Sequence, residues 1–214
     1  MQYEAWREEV FGTTDDFEPH CDDLSQEFYQ TDLSEHFNYI DRALIDSEVH
    51  KRYSVSQIGN GLEIVFNNGA SDLPFCYVNT EDVGRIKKGV DALRHLYCNY
   101  FDQYCTLPVQ SIGNNVLTNE YEAITHVCYM FWDVFILNPQ EAQAPIIEAA
   151  LDVMHYGLSS KNDQSIVSAL HGLGHWALDA PRAVDIIDEW LRQPTTENTI
   201  VYEYAMQAKT GYVQ

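Results

Sequence analysis

ITHVCYMFWDVFILNPQ, residues 124–140, and SIVSALHGLGHWALDAPRA, residues 165–183, follow one plan. Each is an apolar segment that carries a tryptophan near its end and then meets a proline. Trp132 is followed by Pro139 seven residues on, and Trp176 by Pro181 five residues on. The two prolines are 42 residues apart. A unit of roughly 40 residues is the period of stacked helix pairs, which bury each other's apolar faces and leave an extended surface for partners. An irregular helical bundle with two prolines at this spacing is the alternative.

The rest of the chain also reads as helix. Glu120 to Leu137 is apolar almost all round, as in a helix buried on most sides. Asn138-Pro139-Gln140-Glu141 is read as the start of the next helix, with Asn138 as cap and Pro139 in its first turn. Residues 81–105 repeat apolar positions at three- and four-residue steps: Val83, Ile86, Val90, Leu93, Tyr97, Tyr100, Phe101 and Tyr104. Thr80 is taken as their N-cap and Leu107-Pro108 as their stop.

Helices are also expected over Tyr3–Phe11, His36–Lys51, Asp163–Leu178, from Pro181, and over Thr196–Lys209, with Ser34 offered as the cap of the second. Residues 54–68 fit a helix or a strand and are read as helix, ended by a left-handed turn at Asn67-Asn68-Gly69. Ser71 to Asn79, with Pro74, is read as a linker. The expected organisation is an acidic N-terminal arm over 1–33, docking through its aromatics, and one helical-repeat domain over 34–214.

Charge is the strongest compositional feature. Thirty-three acidic against twelve basic side chains give a net charge of −21. Such a surface is repelled by nucleic acid and anionic membranes and attracts basic partners. The acids are segregated. No Lys or Arg occurs between Arg7 and Arg42, a stretch holding Asp15, Asp16, Glu18, Asp22, Asp23, Glu27, Asp32 and Glu35. A second base-free stretch, Arg94 to Lys161, holds Glu120, Glu122, Asp133, Glu148 and Asp152. Segregation of this kind favours a binding patch over uniform decoration.

No apolar run approaches the roughly 18–20 residues that span a bilayer. The N-terminus places Glu4, Glu8 and Glu9 where a signal peptide needs positive charge. Five cysteines without a C-x-x-C pair read as reduced thiols. A cytoplasmic location is therefore expected, with neither cofactor nor membrane partner.

His171 and His175 lie one helical turn apart, a spacing that can chelate a metal. Gly172, however, stands where a zinc-protease helix carries its general-base Glu. A third ligand would have to come from Asp179, His126 or His155. The competing reading is structural: Gly172 and Gly174 let neighbouring helices approach while each imidazole is hydrogen-bonded. No nucleophile elbow, P-loop or dinucleotide fingerprint appears, so the chain is read as a binding protein and not an enzyme. Tyr97, Tyr100 and Tyr104 are assigned to helix packing, with Tyr202, Tyr204 and Tyr212 clustered near the C-terminus.

The segments Ser168–Trp176, Asp185–Leu191 and Tyr204–Gly211, with Gly61–Phe75 and Tyr129–Val134, resemble a group of bacterial HEAT-like helical-repeat proteins, some similar to immunity proteins against polymorphic toxins. The resemblance spans most of residues 55–214. It implies an all-α fold, a HEAT-like α-solenoid or irregular multi-helix bundle of antiparallel helix pairs, and it carries over no catalytic residues. The role it implies is inhibition of a basic toxin or effector domain, with partner-binding acids Asp15, Asp16, Glu18, Asp22, Asp23, Glu27, Asp32, Glu120 and Glu122. The alternatives are a nucleic-acid mimic that occupies a DNA- or RNA-binding protein, a metal-dependent enzyme using His171 and His175, or a general helical scaffold.

Overall fold

Side chains that accept hydrogen bonds from exposed backbone amides set where many of the helices begin. In a computed structural model of the chain, described for residues 1–14, 24–110 and 122–213 (Glu122 by its backbone alone), no strand occurs among the described residues. The first helices are α1 (Tyr3–Phe11), α2 (Gln26–Gln30), α3 (Leu33–Ala43), α4 (Ser47–Arg52) and α5 (Val55–Phe66). Ser25, Asp32, Asp46 and Ser54 cap α2 to α5 in turn. At Ser54 the cap is reciprocal, because Gln57 reaches back to the Ser54 amide. Asp32, not Ser34, is therefore the cap of α3.

A 3-10 turn (Leu73–Phe75) leads into the short α6 (Cys76–Asn79), so the expected linker is helical instead. Pro74 fits because it stands within the first turn, where an amide proton has no partner to lose. The end of α5 also departs from expectation. Asn67 is extended (φ −98°, ψ 114°) and no non-glycine residue adopts positive φ among the described residues. The turn closes through Asn67 instead: its Oδ1 accepts from the Gly69 amide at 2.8 Å.

α7 (Val83–Ala92) is capped by Asp82 and not by Thr80, whose hydroxyl donates back to Cys76 O. It passes through Leu93 into α8 (Arg94–Leu96), a π-helical turn (Tyr97–Phe101) and α9 (Asp102–Tyr104). The long helix expected here is thus interrupted at Leu93 and widened around Tyr97. Then follow α10 (Glu122–Val134), α11 (Ala144–Leu158), α12 (Asp163–Trp176), α13 (Pro181–Arg192) and α14 (Thr199–Ala208).

α11 starts five residues beyond the expected Pro139. Asn138 caps only a turn, accepting from the Gln140 amide at 2.9 Å, and it is Pro145 that occupies the first turn of the helix. Pro181 does open α13. Asn162 and Asn198 cap α12 and α14.

Packing follows two lines of neighbours. α1 lies on α5, α5 on α10, α10 on α12, and α12 on α14; α3 lies on α7, α7 on α11, and α11 on α13. Contacts of α11 and α13 with α12, and of α13 with α14, join the lines. The chain is an all-α multi-helix bundle with α12 at its centre, buried at twelve of its positions from Gln164 to Trp176. One cluster of buried side chains runs from Tyr3 to Ala208 and includes Trp6, Phe11 and Phe28 from the acidic N-terminal stretch. No helix among the described residues is long and apolar enough to cross a membrane.

Candidate functional site

Where α10, α12 and α14 meet, polar side chains from all three converge. His171 and His175 stand one turn apart on α12, and their Nε2 atoms are 3.0 Å from each other. Asp133, from α10, brings Oδ1 to 3.5 Å from His175 Nε2. The nearest ligand atoms of Asp133, His171 and His175 all lie within 4.8 Å of one another. On the other side of His171, its Nδ1 is 2.5 Å from the hydroxyl of Tyr204 on α14. Tyr204 is in turn hydrogen-bonded to Tyr129, one turn before Asp133 on α10, whose ring centroid is 4.5 Å from that of His171.

Burial grades across the cluster. His171 is buried, whereas His175 and Asp133 reach solvent with side chains 35% and 41% exposed. Desolvation first, and then the neighbouring His175, pull the His171 pKa down to about 4 against the opposing effect of Asp133. His171 is therefore a neutral imidazole at pH 7. Burial also raises both phenols, and their mutual hydrogen bond adds to the rise at Tyr204 and opposes it at Tyr129. The other ring nitrogen of His171, Nε2, faces His175.

The helical spacing thus locates two members of the cluster, and the third is Asp133. The three groups named as partners from sequence are elsewhere. His126 Nδ1 is 3.0 Å from Glu63 Oε1, Asp179 Oδ1 accepts from Gln140 Nε2 at 3.1 Å, and His155 is exposed on α11. Asp133, Tyr129 and Tyr204 were missed; the available signal was a lone acid inside the apolar run Phe131-Trp132-Asp133-Val134. The glycines act as the structural reading expects. A Cβ at Gly172 would stand 2.5 Å from Trp132 Cγ, and one at Gly174 would stand 3.2 Å from Ala208 Cα.

The acids proposed for partner binding divide into three groups. Asp15, Asp16, Glu18, Asp22, Asp23 and Glu120 lie outside the described residues, and Glu122 opens α10 with its side chain outside them. Glu27 is exposed on α2. Asp32 is exposed but serves α3, accepting from the Ser34 amide at 2.8 Å, and these Ser34 bonds hold its carboxyl below the usual range.

Carboxylates elsewhere pair with several of the cations. Arg7 pairs with Asp46, Arg42 with Glu4, Arg85 with Asp41, and Lys87 with Asp91. Arg182 bridges Glu148 and Asp152, and Lys209 holds Asp188. Members of the second base-free stretch are therefore partnered by a base from later in the chain. The four described cysteines are free thiols.

A cleft of about 850 Å³ lies between α9 and the α11–α12 turn, lined by Asp102, Ser160, Asn162 and Thr196 among others. Its polar groups largely satisfy one another. Asp102 Oδ1 accepts from Ser160 at 2.7 Å and Ser165 at 2.6 Å, and Asn162 Nδ2 donates to the Cys105 carbonyl at 3.0 Å.

Compared with protein-family models, with curated proteins and with solved structures, the chain matches none.

Proposed function

We propose that this chain is an inhibitor-type binding protein that captures a basic protein, a toxin or effector domain, through its acidic surface. The observation that supports this reading is the excess of acidic side chains. Thirty-three acids against twelve bases leave a net charge of −21, which the internal ion pairs of Arg7, Arg42, Arg85, Lys87, Arg182 and Lys209 do not change because each uses up a carboxylate as well as a cation. The surplus projects a negative field, and exposed Glu27, Asp32 and Glu35, at and along α2 and α3, contribute to it. Such a field raises the capture rate of a basic partner and disfavours nucleic acid and anionic lipid as ligands. The resemblance to toxin-immunity proteins fits the same role, and in that form the protein blocks its partner's active site or substrate channel.

Capture from native cell extract at low and at moderate salt tests the proposal. A single basic protein retained in stoichiometric amount by the wild type, and weakly by Glu27→Lys/Glu35→Lys, is the expected outcome. Retention of no basic protein at either salt would overturn it.

A further inference from the structure

We propose that Asp133, His171 and His175 form a binding site for a divalent first-row transition ion of the zinc class, held by His171 Nε2, His175 Nε2 and one Asp133 oxygen, with a solvent-facing position left for a further ligand. Three acceptor-capable atoms converge within 4.8 Å: two imidazole nitrogens 3.0 Å apart and a carboxylate oxygen 3.5 Å from one of them. One hydrogen bond joins the two imidazoles, and Asp133 Oδ1 stands at ion-pair distance from His175 Nε2. A cation at their common focus would engage all three groups at once.

The chemistry of the donors fits. Two imidazoles and a carboxylate suit zinc, with metal–ligand distances of about 2.0–2.2 Å and ligand atoms hence about 3.3 Å apart in a tetrahedron. Asp133 and His175 are partly exposed and can close by side-chain rotation, whereas His171 is fixed in the core. His171 is also oriented as metal-bound histidines are, with its second ring nitrogen tied to an outer partner, here Tyr204, itself hydrogen-bonded to Tyr129. The ligands come from two helices that pack on each other, α10 and α12, so the site forms only in the folded chain. This inference stands apart from the acidic-surface reading and survives its failure.

The test is titration of chelator-treated full-length protein with Zn²⁺ by calorimetry, and with Co²⁺ by visible absorption, which reports nitrogen coordination and low coordination number. The wild type should take up one ion per chain and give an intense cobalt band. His175→Gln and Asp133→Asn, both at exposed positions that leave the core intact, should weaken binding, the former by about 100-fold or more. Tyr204→Phe should weaken it by roughly 10–100-fold through loss of the outer partner. Far-ultraviolet circular dichroism checks that each variant is folded. Failure of the wild type to take up either ion would overturn the assignment. So would an affinity in folded His175→Gln within about threefold of wild type, because the ion would then lie elsewhere.

Discussion

Replacing Gly172 by alanine tests the packing at the centre of the bundle. Gly172 faces α10, and a Cβ there would stand 2.5 Å from Trp132 Cγ, 2.6 Å from Cδ1 and 2.7 Å from Cβ. These atoms belong to the base of the indole, so a rotation of the ring tip does not relieve the clash. The indole is also anchored, since its Nε1–H donates to Tyr97 at 2.8 Å and the ring lies 5.0 Å from Phe131 and 6.1 Å from Trp176 between centroids. Overpacking of a tight core costs about 1–3 kcal/mol and sometimes more. Removing a glycine from a helix interior returns about 1 kcal/mol. With the obstruction at backbone-proximal atoms the upper end applies, and the net loss is about 2 kcal/mol. In a chain of this length that lowers Tm by about 4–8 °C. Urea and thermal unfolding followed by circular dichroism and tryptophan fluorescence measure it. A Gly172→Ala variant as stable as wild type would refute the close approach of α10 and α12.

Three further outcomes follow from the buried polar groups. Asp46→Ala leaves Arg7, 5% exposed in its side chain, without its partner at 2.8 Å, and also frees the Tyr3 hydroxyl and the Glu48 amide; it should cost about 3–5 kcal/mol in urea unfolding. Tyr97→Phe removes the acceptor of Trp132 Nε1–H in the core and should cost about 1–3 kcal/mol by the same assay.

His36 donates Nε2–H to Phe28 O and accepts Trp6 Nε1–H at Nδ1, both at 3.1 Å, so the folded state needs it neutral. Burial lowers its pKa against the opposing Phe28 carbonyl, Glu35 and Asp32. Between that lowered value and the ordinary value of about 6.5 the unfolded chain binds more protons. Stability is therefore fully present above about 6.5 and is lost as pH falls through the window. The urea midpoint should drop from neutral to mildly acidic pH, and less steeply in His36→Asn; an equal slope in the two proteins would contradict this.

What the sequence discloses, and what it withholds, follows from where the determining contacts lie. Helices over Tyr3–Phe11, Asp163–Leu178 and from Pro181 are legible because period and punctuation are local, whereas residues 54–68 carry helix and strand patterns at once and period alone does not decide between them. The start of α11 is not, since Asn138-Pro139 suits a tight turn as well as a first helical turn, and only packing on α7 and α12 selects Ala144. The caps at Asp32 and Asp82 were displaced in the reading by Ser34 and Thr80, which are chemically equivalent competitors a few residues away. The site shows the same division. The spacing of His171 and His175 is visible along one helix, whereas Asp133, Tyr129 and Tyr204 join them through tertiary contacts that no spacing along the chain encodes.

The central claim is electrostatic capture of a basic protein. Its most direct test is the association rate with the retained partner, measured across a salt series for wild type and for a variant carrying Asp15→Lys, Asp16→Lys, Asp22→Lys, Asp23→Lys and Glu27→Lys. Slower association in the variant, with a flatter dependence on salt, is the expected result. Equal rates and equal slopes would contradict it.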